Sequence, residues 1–310
     1  MRRTCTNCLY DLMEHDDRIV YIGSDLTKRE LYKFKEKYPD RYFMEGVYEQ
    51  HLVGMAAGLA LSGKIPYLNT IATFLTRRCY EQILVDLCIH DLPVRLIGNG
   101  GGVVYAPLGG THLAIEDIGM LRVIPKMTIV APCDAAEMER VMASSVDWPH
   151  PLYIRLAKGG DEVVSRPDVP FEIGRGIRLR DGEDVLFITT GIATQRALLA
   201  ADRLAQNGIE SSVLHLHTVK PLDSEAVLTN SKSARVILTV EEHRVTGGLG
   251  SAVAELLAES DVLEGKVFRR IGFPDVFTEE LGSQDLIMEK YNLDSDSLVD
   301  AAQGFLNRMR

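Results

Sequence analysis

The sequence predicts an α/β protein made of two three-layer α/β/α domains with mainly parallel sheets. Three observations carry that expectation. Along the first half of the 310-residue chain, short β-rich runs alternate with longer segments of helical periodicity. From Ala157 to Asp184 the texture changes to Gly159-Gly160, Pro167, Pro170, Gly174 and Gly176 with many charges, the composition of an interdomain linker. A second alternating unit then follows. The length agrees, since about 150 residues per domain gives about two domains. The expected division is 1–157, a linker at 158–183, and 184–310.

In the first unit, residues 18–22, 65–71, 94–98, 127–131 and 151–156 are expected as strands. With helices between most of them, they suit a parallel sheet whose crossover helices cover both faces. The helix near Glu49 is read from Leu52, Met55, Ala56 and Leu59, which recur at i, i+3, i+4 and i+7 and form one buried stripe. Gly54, Ala56, Ala57, Gly58 and Ala60 keep other parts of its surface small, so a backbone or a flat ligand can approach closely. Tyr80, Gln82, Leu84 and Leu87 belong to a later helix, where packing or a subunit face accounts for them. In the second unit, strands at 185–190, 211–216, 236–241 and 266–271 alternate with helices near 194–206 and 251–259. The chain carries neither low-complexity tracts nor short repeats.

With 46% hydrophobic and 25% charged residues, the chain has the balance of a globular protein with sizeable cores. Its net charge is −10, and Lys and Arg are scattered, so no basic stripe points to nucleic acid or an anionic membrane. The N-terminal MRRTCTNCLYDLMEHDD lacks the apolar run of a signal peptide, and no stretch reaches the ~18 apolar residues of a membrane span. The expectation is a cytoplasmic protein acting on small molecules. Five cysteines at irregular spacing argue against a disulfide framework. Cys5 and Cys8 have a redox or zinc spacing, but no second such pair completes a four-ligand site, so no metal site is expected on this chain.

The chemistry concentrates in Glu45-Gly46-Val47-Tyr48-Glu49-Gln50-His51, in Thr73-Phe74-Leu75-Thr76-Arg77-Arg78-Cys79-Tyr80-Glu81-Gln82, and in Gly110-Thr111-His112. Taken alone, a glutamate in the first turn of a helix commonly serves free backbone N–H groups and the helix dipole. The order EGxxEQH, TFLxRxYEQ and GGTH, followed by LRxIPxMTIxxPxD from Leu121 to Asp134, resembles the pyrimidine-binding domain of transketolases and 1-deoxy-D-xylulose-5-phosphate synthases. The likeness continues through Pro151 to Leu156, Val240 to His243, Gly247 to Gly250 and Gly272 to Asp275, and so covers nearly the whole chain.

That resemblance implies a thiamine-diphosphate pyrimidine-binding fold followed by a transketolase C-terminal-like domain, with thiamine diphosphate as cofactor. The cofactor reacts through C2 of its thiazolium ring, a very weak acid, and its own 4′-amino group serves as base. A carboxylic acid at N1′ of the aminopyrimidine favours the tautomer that removes the C2 proton, and burial tunes such an acid for exchange near neutral pH. Glu49 matches the family's activating glutamate, and Glu45 is the competing carboxylate, expected to cap or face solvent. Phe74 matches the aromatic that stacks on the pyrimidine, against core packing as the simpler use of the ring. Arg77 matches a cofactor-side arginine of the deoxyxylulose-phosphate synthases. His112 matches the histidine over the reacting carbon that contacts substrate oxygens. Arg155 matches an arginine that grips the substrate phosphate, a task suited to its planar fork, against a surface salt bridge. Glu242, His243 and Gly247 to Gly250 read as structural.

The match breaks in two places. The family holds the diphosphate and Mg²⁺ on a separate domain with a Gly-Asp-Gly motif and a downstream Asn, and this sequence has no such segment; Asp181-Gly182-Glu183-Asp184 lacks the first glycine. The resemblance is therefore to the C-terminal half of the enzyme, as in split transketolases and the β subunits of 2-oxoacid dehydrogenases. In addition, Pro107-Leu108-Gly109 stand where the family loop carries an Asp for a sugar hydroxyl, which puts ordinary pentose phosphates in doubt. The implied protein is one subunit of a two-component transketolase-like enzyme, passing a ketol or related carbanion fragment from a ketose or 2-oxo donor to an aldehyde. Its partner would be an N-terminal-type subunit that binds Mg²⁺, the assembly a heterotetramer. The alternatives are a 2-oxoacid dehydrogenase β-type subunit, ranked lower on Gly109 to Pro125, and a non-catalytic scaffold subunit.

Overall fold

The computed structural model describes residues 1–24 and 29–309. The strands are β1 (Ile19–Gly23), β2 (Tyr42–Met44), β3 (Ile65–Ile71), β4 (Arg95–Asn99), β5 (Thr128–Val130), β6 (Leu152–Leu156), β7 (Ile177–Arg180), β8 (Val185–Thr189), β9 (Ser211–His215), β10 (Thr218–Lys220), β11 (Val236–Arg244) and β12 (Val267–Phe273). Helices run α1 (Arg2–His15), α2 (Arg29–Lys37), α3 (Glu49–Leu61), α4 (Ala72–Arg78), α5 (Tyr80–Gln82), α6 (Asp117–Arg122), α7 (Ala135–Ser145), α8 (Ala193–Ala205), α9 (Ser224–Ser231), α10 (Leu249–Ala258), α11 (Gln284–Lys290) and α12 (Ser295–Arg308).

The first sheet has seven strands in the order β10-β5-β6-β4-β3-β1-β2, and the second has five in the order β12-β11-β8-β9-β7. Every pairing is parallel except those of the edge strands β10, on β5, and β7, on β9. The inner strands β1, β4, β6 and β8 are buried along their whole length; β1 and β8 read as nearly continuous apolar runs without alternation, while β4 and β6 also bury Arg95, Asn99 and Arg155. On one face of the first sheet, Cys5, Leu9 and Met13 of α1 meet Met138, Val141 and Met142 of α7. On the other, Leu52, Val53, Ala56 and Ala60 of α3 pack with Ile83 and Leu87, in a core that continues into Leu186, Ile188 and Leu214 of the second sheet and Leu249, Val253 and Leu257 of α10. The two α/β units thus share one core.

The expected two-domain α/β architecture is present, with short edge elements added. β7 lies inside the segment expected as linker, where its half-exposed arginines disguise it. β10 comes from the second unit in sequence but pairs with β5 of the first, and the backbone contacts Ala131 N–H to His217 O (2.7 Å) and Gly191 N–H to Ala131 O (3.0 Å) extend that seam. Among the described residues, no helix is long and apolar enough to cross a membrane.

Candidate active site

β3 ends at Ile71 and α4 begins at Ala72, so Thr73 and Phe74 sit in the first turn beyond a parallel strand, where open α/β sheets present ligands. Nearby, α3 opens on Glu49 after Tyr48, whose side chain provides no cap. Glu49 is only 2% exposed. Its carboxylate does not serve the helix terminus: Oε1 accepts from Ser24 Oγ at 3.1 Å and Oε2 from Arg78 Nη1 at 2.8 Å. Glu45 is exposed.

Arg78 also lies over Phe74, with its guanidinium carbon 4.3 Å from the ring centroid, a geometry that the i, i+4 spacing on α4 permits. The His112 ring meets the same phenyl in a T-shaped contact at a centroid separation of 5.1 Å and 64°. His112 Nδ1 is 2.9 Å from Thr111 Oγ1. The structure therefore brings Glu49, Phe74 and His112 into one chain of contacts, with Arg78 as the link between the first two. Beside them the Thr73 hydroxyl is buried without a partner.

The loop that carries His112 is pinned from behind. Gly102 and Ala114 pair across its neck, at 2.8 and 2.9 Å, while Val103, Ala106, Leu113 and Ile115 enter a core shared with β8, α8 and α12. From the second domain, Glu242 Oε1 accepts from Val103 N–H at 2.9 Å and from Gln284 Nε2 at 2.7 Å. Burial pushes the Glu242 carboxyl above its usual range, opposed by the Arg155 charge and these donors. Gly102 has φ +70°, and a Cβ there would run into the Glu242 carboxylate, so this position needs glycine on two counts.

Two of the expected site residues are engaged within the chain. Arg155 is 6% exposed, and its Nε donates to Asp117 Oδ2 at 2.8 Å. Its Nη2 donates to the Ala114 carbonyl (2.8 Å) and the Glu242 carbonyl (2.9 Å), which makes it an interdomain tie behind the His112 loop. Arg77 binds Glu116 and the Leu113 carbonyl (2.9 Å), also bracing that loop, and the arginine that faces Glu49 and Phe74 is Arg78. A signal for this was present. The chain carries one residue more between Phe74 and Tyr80 than TFLxRxYEQ, and the helix is interrupted within that stretch, at Cys79 between α4 and α5.

Among the described residues, Cys133, Glu137 and His215 form a buried group of metal-capable donors. They are spent on one another: Glu137 Oε2 accepts from Cys133 N–H at 2.7 Å and from His215 Nε2 at 2.8 Å. Burial pushes the Cys133 thiol far up, so it is not a ready thiolate. This cluster, too, joins the domains, since Glu137 lies on α7 and His215 on β9.

Residues 1–160 match the transketolase pyrimidine-binding domain and residues 174–298 the transketolase C-terminal domain. The chain belongs to the transketolase family. It is 37% identical over 309 residues to the 6-deoxy-6-sulfo-D-fructose transketolase subunit SqwH of Clostridium sp. (strain MSTE9), covering 99% of this chain and 95% of that one. It is 36% identical over 304 residues to the 1-deoxy-D-xylulose-5-phosphate synthase of Syntrophotalea carbinolica, 96% of this chain but 47% of that enzyme. A solved split-gene transketolase, an inactive β4 tetramer, superposes with a TM-score of 0.89 at 36% identity over 100% of this chain and 98% of its own.

In this transketolase-family chain the cluster fits the aminopyrimidine end of thiamine diphosphate: a buried carboxylate free of the helix terminus, a half-exposed phenyl face and an orphaned hydroxyl adjoin one another. A cavity of about 510 Å³ lies elsewhere, lined by Lys158, Asp161, Gln195, Arg196 and Gln284, and includes none of Glu49, Phe74 or His112.

Proposed function

We propose that this transketolase-family chain is the pyrimidine-binding and C-terminal subunit of a two-component enzyme that transfers a ketol or related fragment to an aldehyde. The observation that carries the reading is the Glu49 carboxylate, buried in the first turn of α3 yet bonded to Ser24 and Arg78 beside Phe74. Its domains would be 1–157 and 184–310. Thiamine diphosphate would supply a carbon nucleophile at C2 of its thiazolium ring, with its diphosphate and Mg²⁺ held by a partner subunit bearing Gly-Asp-Gly and Asn.

Within this chain, Glu49 would exchange a proton with N1′ of the pyrimidine, and its burial keeps water from competing for that bond. Phe74 would support the ring face. His112, on a loop braced by Arg77, Arg155 and Glu242, would meet substrate oxygens. Pre-organised groups lose little freedom on binding, which favours a braced loop over a mobile one. Pro107-Leu108-Gly109 on that loop support a donor other than an ordinary pentose phosphate. That SqwH is a transketolase subunit supports the split arrangement, and the β4 assembly of the solved split-gene transketolase supports self-association, here within a heterotetramer. A cytoplasmic location fits small-molecule chemistry of this kind.

The test is reconstitution. The purified chain should show no ketol transfer from phosphorylated ketoses, and adding a partner with the diphosphate motif should restore it. Robust turnover by the chain alone would contradict the split reading. Turnover of a 2-oxoacid with a lipoyl acceptor, and none with ketoses, would move it to the dehydrogenase class.

A further inference from the structure

We propose that Arg78 is a gate on the ring site, occupying the place that a flat heteroaromatic ligand must take and leaving when the ligand enters. The proposal rests on the reading of Glu49 and Phe74 as the ring-binding pair. It starts from a coincidence of geometry: one planar cation makes both contacts that the ring would make. Its Nη1 donates to Glu49 Oε2 at 2.8 Å, and its plane carbon lies 4.3 Å from the Phe74 centroid. A ring that stacks on that face of Phe74 while bonding Glu49 Oε2 needs the place the guanidinium holds.

The same arginine is built to move. Its side chain is 42% exposed, and among the described residues Glu49 is its only recorded hydrogen-bond partner. Arg77 beside it is tied to Glu116 and Leu113 and has no such freedom. Arg78 is the last residue of α4, just before the backbone leaves helical geometry at Cys79 (φ −110°, ψ 16°), so its side chain can swing without breaking a turn. Meanwhile, Arg78 neutralises a carboxylate that is otherwise buried, which favours the shut state until a ring donor replaces it. The subunit would thus resist free thiamine until assembly offers a site for the whole cofactor.

Removing the gate should increase ring affinity in the isolated chain. Thiamine without phosphates is the probe, because it needs no diphosphate site, and binding is read by saturation-transfer NMR on the full chain as wild type, Phe74→Ala, Arg78→Ala, Arg78→Gln and Arg78→Ala/Phe74→Ala. Thermal unfolding checks that each variant is folded, and Gln keeps a neutral hydrogen bond to Glu49 should Ala unfold. The expected result is about tenfold tighter thiamine binding on loss of the guanidinium, or 1.4 kcal/mol, abolished in the double variant. Unchanged or weaker binding in folded Arg78 variants overturns the gate, and weaker binding would make Arg78 a ligand of the ring. Where the gate is overturned in this way, wild-type binding that Phe74→Ala abolishes still supports the ring site. A gain that survives Phe74→Ala overturns the ring site itself.

Discussion

Replacing Arg155 by Met separates the interdomain tie seen here from the substrate contact expected from the sequence. The side chain lies against Asp117, which is 0% exposed and, among the described residues, otherwise receives only the Tyr153 hydroxyl at 2.7 Å. Met fills much of the volume but leaves the Asp117 charge buried and the Ala114 and Glu242 carbonyls short of a donor. Breaking a buried ion pair from one side costs about 3–5 kcal/mol. At about 2–4 °C per kcal/mol for domains somewhat smaller than this chain, the melting temperature should fall by about 6–20 °C. Chemical denaturation of Arg155→Met, Asp117→Asn and the double variant is the assay. The double variant should lose much less than the sum of the singles, because it removes the stranded charge. If Arg155→Met unfolds like wild type, and the assembled enzyme loses turnover only with phosphorylated donors, the tie is wrong and the phosphate contact right.

Gly102→Ala combines a left-handed backbone with a clash against Glu242, and should cost about 1–3 kcal/mol in a thermal melt and lower turnover of the assembled enzyme, since the His112 loop starts there. His217 predicts a pH effect: burial holds its imidazole at about 4, against 6.5 for the free group. Between those values the unfolded chain takes up a proton that the folded one refuses, so stability is complete above pH 6.5 and falls as pH drops through the window. At 1.36 kcal/mol per unit the loss is at most about 3 kcal/mol. His217→Asn should flatten urea-denaturation stability between pH 7 and 5, whereas a slope unchanged from wild type would contradict the assignment. A separate loss belongs to Glu137: burial pushes its carboxyl up but the His215 partnership prevails and holds it at about 2, so its contribution disappears only as pH falls from about 4.5 toward 2.

Inner strands such as Ile19 to Ile22 and Val185 to Ile188 were legible because burial on both faces leaves them apolar throughout, and the stripe of α3 was legible in part: Leu52 and Ala56 are buried as expected, Met55 and Leu59 only partly, and Val53, Ala57 and Ala60 complete the buried face. β7 and β10 were not, since strands of four and three residues carry too little pattern, and the pairing of β10 with β5 is a long-range choice that no local window contains. The grouping of Glu49, Phe74 and His112 came from motif resemblance; nothing in their separations alone brings them together. Arg78 was overlooked beside Arg77 because adjacent arginines differ only in the direction the helix gives them. The internal position of Arg155 depends on Asp117, 38 residues away, and on a carbonyl of the other domain.

Exchange of the cofactor's C2 proton with D₂O in the assembled complex tests the central claim most directly. Glu49→Gln keeps shape and a hydrogen bond but cannot give and take the N1′ proton, whereas Glu45→Gln alters an exposed carboxylate. The account predicts exchange and turnover slower by about 10²-fold or more in Glu49→Gln, with a melting temperature close to wild type and Glu45→Gln nearly unaffected. Exchange at the wild-type rate in Glu49→Gln, or a slower rate in Glu45→Gln than in Glu49→Gln, would contradict it.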